Sequence, residues 1–571
     1  MKYLKKQKKK YKDQVIEDSG DKMKKEKKLK KNGFMQGAFI ATFGIVISKI
    51  LGMLYVIPFY SIIGDKGGAL YGYAYNVYSI FLGISSAGIP LAISKIISEY
   101  NALGYYNAKE RAFKLGRKFL NLVGVICFVL LMIFARTFAT IIIKDVTGGN
   151  TIEEVTFVIR MISTAILVVP TLSIYRGYLQ GHKFIAPTSI SQIIEQIVRV
   201  TIIIVGSFLG LKVFNLSLDT TVGIAVFSAT IGAIASLMYL YKKTKENKKE
   251  LQKHELKVNE PKITDKEILR KIFYYAFPFI MIDVFKSLYN SVDVVMLVSV
   301  LVKGIGYSVT DAEAIMSVIS TWGLKINMIV ISIATGITIS LIPNITSSFV
   351  KGDMKDVEEK INKSLSMLLF LVVPMTVGLS VLAKPVWTIF YGASKYGPSV
   401  YSLYVFVALA TTMFTVTITT TQMMKEYKQV FKSLILGFLT NVILNIPLLY
   451  AFDKIGLPAY FGSTLATILG YSVCATMNLH FLKKKYNINY EITIKRVITI
   501  ISTVLIMAIT LLLLKYIIPF NTTSRILNIG IVLVYTLVGA LVYLGLNLKN
   551  NLIKDIYGNK LLDKLKLRRK A

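Results

Sequence analysis

The stretch FLNLVGVICFVLLMIFARTFATIII, residues 119–143, decides the fold class. It carries a single charge, Arg136. A helix needs about 20 apolar residues to cross the hydrocarbon of a bilayer, and a soluble core has no use for many such runs. Comparable runs recur from Gly37 to Asn547, giving spans at 37–63, 69–98, 119–143, 153–177, 187–207, 221–241, 273–302, 313–342, 364–390, 399–424, 433–451, 459–482, 497–517 and 526–547. Composition agrees: 54% of the 571 residues are hydrophobic and 18% charged, against about 25% charged in soluble domains. The expectation is an all-α polytopic membrane protein with about 14 transmembrane helices.

A net charge of +36 would suit a nucleic-acid binder, but its distribution argues against that partner. Of the 68 Lys and Arg, 51 fall in the tails and loops of one side, 7 in the loops of the other and 10 within spans. By the positive-inside rule both termini face the cytoplasm, which implies a multi-pass protein of a bacterial cell membrane. The basic tails, 1–36 and 548–571, read as attractors for anionic lipid; the first, disordered by composition, reads more simply as a determinant of topology. The basic linker 242–272 ends in an amphipathic segment, 263–272, and a second such segment covers 352–364; both read as short helices on the cytoplasmic surface. No cleavable signal peptide is evident. Cys127 and Cys474 lie inside apolar runs as core residues, and three histidines are too few for a metal cage.

Residues 129–143 have a counterpart. VLLMIFARTFATIII faces VGLSVLAKPVWTIFY (377–391) at an offset of 248, which also aligns Gly88 with Gly336, Gly104 with Gly352 and Glu110 with Glu358. A repeat of six helices keeps the same orientation in both halves. Spans 1–6 (37–241) then form one lobe, spans 7–12 (273–482) a second, and spans 13–14 (483–547) lie outside the repeat. Two facing lobes suggest a central site at mid-membrane and alternation between inward-open and outward-open forms.

Ionisable groups inside a membrane are costly and mark function by default. Lys515 near a helix end reads as snorkelling, and the repeat-related Arg136 and Lys384 as interface anchors. Lys49, Arg199, Lys286 and Lys325, well inside their spans, are the stronger candidates, and Arg176 is a further one. Asp283, Lys286, Asn290 and Asp293 are spaced to share one helical face. Glu195 and Arg199 are i,i+4, with Gln192 one turn earlier. Bases outnumber acids, so the cavity suits an anion such as phosphate or pyrophosphate. No nucleophile–base constellation or phosphate loop suggests an enzyme.

SKILGMLYVIPF (48–59), SSAGIPLAISK (85–95), YRGYLQG (175–181), PTSISQIIEQIVR (187–199) and NSVDVVML (290–297) resemble the multidrug/oligosaccharidyl-lipid/polysaccharide flippase superfamily. The resemblance is to its stage V sporulation protein B-like and Gram-positive-type lipid II flippase branch. It implies two six-helix lobes with two extra helices and movement of a polyprenyl-pyrophosphate-linked cell-wall precursor, lipid II, to the outer leaflet. It also implies that Lys49, Lys95 and Lys325 line the cavity, where Gram-negative-type members use arginines in spans 1 and 2. Lysine binds phosphate as a point charge, without the two-pronged geometry of arginine. No cofactor is implied, and coupling to H⁺ or Na⁺ is left open. The alternatives are a flippase for another lipid-linked polysaccharide and a cation-coupled multidrug antiporter; the sign of the cavity separates the latter.

Overall fold

The computed structural model describes residues 47–49, 51–144, 148–252, 260–520 and 523–557. Thirteen helices in it are long and apolar enough to cross a membrane. They are α1 (Val56–Leu103), α2 (Tyr106–Ile143), α3 (Ile152–Gly181), α4 (Ile185–Val213), α5 (Leu218–Glu246), α6 (Asp265–Ile305), α7 (Val309–Ile333), α8 (Met354–Val381), α9 (Gly397–Met423), α10 (Tyr427–Lys454), α11 (Tyr460–Tyr486), α12 (Glu491–Ile517) and α13 (Arg525–Lys549). The first part of the expected span 1, the tail 1–36 and most of the tail 548–571 lie outside the described residues.

α1 is no single rod. Gly64, at φ 62 and ψ −161, separates the end of span 1 from span 2. Gly88, at φ 66, bends the chain again, and a Cβ there would lie 2.3 Å from Cβ of Phe279 on α6. Both positions need glycine, the second also for close approach.

Connections at the lysine-rich end are shorter than expected. The loop placed at 99–118 shrinks to residues 104–105, because α1 continues to Leu103 and α2 begins at Tyr106. The amphipathic segments 263–272 and 352–364 are not separate surface helices. They form the first turns of α6 and α8, the former begun by a capping box of Thr264 and Glu267. The apolar face of the first packs on protein: Ile268, Ile272 and Ala276 are buried among Ile93, Ile97, Ala108 and Ala112.

At the 248-residue offset several backbone features repeat, although Gly336 lies inside a helix where Gly88 is left-handed, and the counterpart of α2 breaks at Leu382. Tyr105 N donates to Tyr100 O (2.8 Å) and Asp353 N to Ser348 O (3.1 Å), around Gly104 and Gly352 at φ 76 and 77. Farther along, Thr140 Oγ1 donates to Arg136 O and Thr388 Oγ1 to Lys384 O. Six residues fewer separate the next pair of turns: Phe184 N donates to Leu179 O and Glu426 N to Leu179's counterpart, Thr421 O, beside Lys183 and Lys425 at φ 65 and 62. α6 packs on α1 and α2 along its length and also on α10 and α11, where Tyr289 stacks on Tyr471 with centroids 4.4 Å apart. α12 lies against α8, and α13 against the short helix Ala383–Tyr391.

Candidate functional site

α4 presents Gln192, Glu195, Gln196 and Arg199 on one face, toward a cavity of about 340 Å³. Arg176 enters from α3. Its Nη2 donates to Glu195 Oε2 at 2.8 Å, and Arg199 Nη2 donates to Glu195 Oε1 at 3.3 Å. Further donations from Arg176 reach Ser191 Oγ and Ser236 Oγ, both at 3.1 Å. One carboxylate thus holds two guanidiniums, all three side chains being less than a quarter exposed. Lys49 and Lys325 complete the lining, Lys325 Nζ lying 5.4 Å from the centre of the Tyr55 ring. Four bases against one acid leave three positive charges in the cavity. Arg199 Nε is buried with no hydrogen-bond partner among the described residues.

Tyr75, stacked on Tyr71 at 4.5 Å, borders this cavity and also a second one of about 280 Å³. Lys286 and Asn290 from α6 line the second cavity with Asn76, Ser79, Asn327 and Tyr404. Ser287, Ser320 and Thr411 add hydroxyls and Tyr75 and Tyr471 aromatic faces, among apolar walls of Val294, Met316, Ile319, Leu324, Ile331 and Val407. Asn327 Nδ2 donates to Tyr404 O, while its buried Oδ1 has no partner among the described residues.

The four-residue face of span 7 is only partly gathered. Lys286 and Asn290 face the second cavity, and Asp283 is a loose partner of Lys286, Oδ1 to Nζ 3.9 Å. Asp293 borders the cavity but is nearly inaccessible, and its carboxylate accepts from Asn445 Nδ2 (2.8 Å), Ser463 Oγ (2.6 Å) and Thr467 Oγ1 (2.9 Å) on α10 and α11. It ties helices together. Lys95 departs from its expected place: it lines neither cavity, and its Nζ sits 4.0 Å above the Tyr275 ring toward the lysine-rich end. The bend at Gly88 sends the following turns away from the centre. Sequence reasoning missed Tyr55, Tyr71, Tyr75, Asn76 and Gln196. The polar and aromatic spacing within YGYAYNVYS (71–79) was the available signal, hidden among many tyrosines.

Both ends of the cavity are tied between lobes. At the lysine-rich end Lys271 Nζ meets Glu99 Oε1 at 2.7 Å, Arg111 pairs with Asp265, and Glu260 accepts from the backbone N–H groups of Asn107 and Ala108. Beyond the membrane segments at the same end, burial would raise the Glu426 carboxyl, but bonds from Lys485 and Tyr486 outweigh it and hold the group below its ordinary value. At the opposite end Glu313 accepts from Asn150 N (2.7 Å) and Nδ2 (2.9 Å), and Thr321 Oγ1 donates to Gly68 O (2.9 Å).

The family described as polysaccharide biosynthesis protein matches residues 34–349. The chain is 34% identical over 537 residues to the lipid II flippase MurJ of Bacillus subtilis (strain 168), covering 92% of this chain and 97% of that one. It is 25% identical over 219 residues to stage V sporulation protein B of the same organism, 38% of this chain and 40% of that one. Among solved structures, a lipid II flippase MurJ in an inward closed conformation superposes with a TM-score of 0.60 at 18% identity, over 90% of this chain and 99% of that one. An inward-facing multidrug resistance MATE family transporter of the MOP superfamily gives 0.58 at 14% identity, over 79% and 98%.

Proposed function

The chain belongs to the polysaccharide biosynthesis protein family of multi-pass membrane proteins, and we propose that it is an alternating-access flippase for a polyprenyl-pyrophosphate-linked cell-wall precursor, lipid II. It is a transporter and makes or breaks no covalent bond. The observation that carries this reading is the paired cavity. A chamber with three surplus positive charges and a guanidinium donor, Arg199 Nε, that has no partner among the described residues suits a pyrophosphate. Beyond Tyr75, a chamber in which amides, hydroxyls and aromatic faces alternate with apolar walls, and in which Asn327 Oδ1 has no partner among the described residues, suits a sugar, with its hydroxyls and its apolar faces. A cation-exporting pump needs the opposite sign.

The lysine-rich end is taken as cytoplasmic, on the charge asymmetry of the loops. The headgroup enters there, its pyrophosphate displacing water between Lys49, Arg199 and Lys325, while the polyprenyl chain stays in lipid. Glu195 positions both arginines and prevents the empty chamber from holding four unopposed charges. Release of the ties at Glu99–Lys271 and, in alternation, at Asn150–Glu313 opens one mouth and then the other. The basic tails bind anionic lipid at the cytoplasmic face. Lys95 belongs to the entry route rather than to the chamber.

The test is flipping of purified lipid II in proteoliposomes. Lys49→Gln with Lys325→Gln is expected to slow flipping at least tenfold with the protein still inserted and folded, and Lys→Glu at either position to be worse. Undiminished flipping by the double variant would overturn the cationic-chamber reading. Faster flipping of another polyprenyl-linked glycan would reassign the substrate within the same chemistry.

A further inference from the structure

The two central chambers are not charged alike, and the difference bears on what the cargo carries beyond its pyrophosphate. Among the described residues that line the second chamber, Lys286 and Asp293 are the charged ones. Asp293 is 2% exposed, and both its oxygens are engaged, Oδ1 by Asn445 and Ser463 and Oδ2 by Thr467. Lys286 is differently placed. Its side chain is 34% exposed, and its ion-pair partner Asp283 stands 3.9 Å away, beyond hydrogen-bonding reach. Asp283 is half exposed and does not line the chamber. So loose a pair contributes little, and a better-placed carboxylate can take Asp283's place.

The surroundings of Lys286 suit such a carboxylate. Asn290 follows one helical turn later on α6, about 6 Å along the axis, and lines the same chamber. Asn76 of α1 lines it from the first lobe; its Oδ1 accepts from Ser291 Oγ at 2.9 Å, which keeps its NH2 to donate. An ammonium beside amide donors is a receptor for an oxyanion. Electrostatics gives a second reason. Lys286 is close enough to Lys49 of the first chamber for the two to repel. A cargo that brings negative charge into each chamber removes that cost. A neutral saccharide in the second chamber would take water from Lys286 and return no charge for it.

We propose that Lys286, with Asn290, selects cargo by a carboxylate on the headgroup beyond the pyrophosphate, so that the transported class is an acidic glycan or glycopeptide and a neutral lipid-linked sugar is a poor cargo. The inference rests on the flippase reading and narrows it. Lysine suits the task because a point charge on a flexible stem follows a carboxylate that arrives at different angles. The pyrophosphate, common to every such lipid, is left to Lys49, Arg199 and Lys325. Grip and selectivity then sit in different chambers.

Two forms of lipid II test this, one with its peptide carboxylates free and one with them converted to primary amides, nearly equal in shape and without the charge. Flipping of each is read in proteoliposomes with no potential across the membrane, so that the difference in cargo charge does no electrical work. The natural protein is expected to move the acid form about fivefold faster. Lys286→Gln should bring the acid form down to the rate of the amide form with Tm unchanged. Lys286→Arg should keep most of the preference, and Lys286→Glu should reverse it. Lys325→Gln should slow both forms by one factor and leave their ratio intact. Equal rates in the natural protein would overturn the inference, as would a preference that survives Lys286→Gln. Slowing of both forms alike by Lys286→Gln would overturn it too, by assigning Lys286 to the pyrophosphate. Movement of neither form would overturn the flippase reading itself, a result distinct from movement without preference.

Discussion

Glu195 accepts from Arg176 and Arg199 at once, so its loss leaves two guanidiniums facing each other. Glu195→Gln should lower stability by about 2 kcal/mol, between the value of an exposed pair and that of a fully buried one, read as a fall in Tm in detergent. Exchanging the pair, Glu195→Arg with Arg199→Glu, should not restore it, because Arg176 then faces a second arginine; recovery to natural stability would show that Arg176 is not part of the linkage. The i,i+4 half of this trio was legible in the sequence because one helix sets the spacing. The Arg176 half was not, since the rotation of α3 against α4 is decided by packing that no local pattern records. Lys95 shows the same limit. Its position in the family motif suggested the chamber, but the left-handed turn at Gly88 carries it past.

α6 joins the two lobes, packed on α1 and α2 and held by α10 and α11. Its start at Glu99–Lys271 must part for the lysine-rich mouth to open. Glu99→Cys with Lys271→Cys, bridged by a short cleavable reagent, should abolish flipping until the bridge is cut; flipping through an intact bridge would place the entry elsewhere. At the other mouth, Gly68 leaves room for Trp322, where a Cβ would lie 2.3 Å from Nε1. Gly68→Val should pry the lobes apart there, raising the labelling of Ser320→Cys by an impermeant thiol reagent; unchanged labelling would mean that this contact does not hold the mouth shut. Apolar run length revealed which segments are helices. It misjudged where they end, because α1, α2, α6 and α8 continue past the membrane on turns whose apolar faces meet other helices. Ile268 and Ile272 look the same in sequence whether lipid or protein covers them.

Across the whole molecule, the repeat was legible because Gly104 and Gly352 follow helix ends at matched positions, Leu103 and Val350, and a left-handed turn leaves a residue signature. How the lobes meet left none: Tyr75, which divides the central space, is one of 33 tyrosines. The central claim is that a cationic chamber carries an anionic headgroup outward. A pyrophosphate with about two negative charges gains about 4.6 kcal/mol from a 100 mV potential, negative inside. The chamber's own charge does not change this over a full cycle, since it returns with the empty protein. The most direct measurement is lipid II flipping in proteoliposomes under a potassium-diffusion potential of either sign. The account expects inside-negative potential to speed outward flipping and to enrich lipid II in the outer leaflet, and the reversed potential to oppose both. A rate and a final distribution that ignore the sign and size of the potential would contradict net movement of negative charge, and with it the anionic cargo or its passage without a compensating ion.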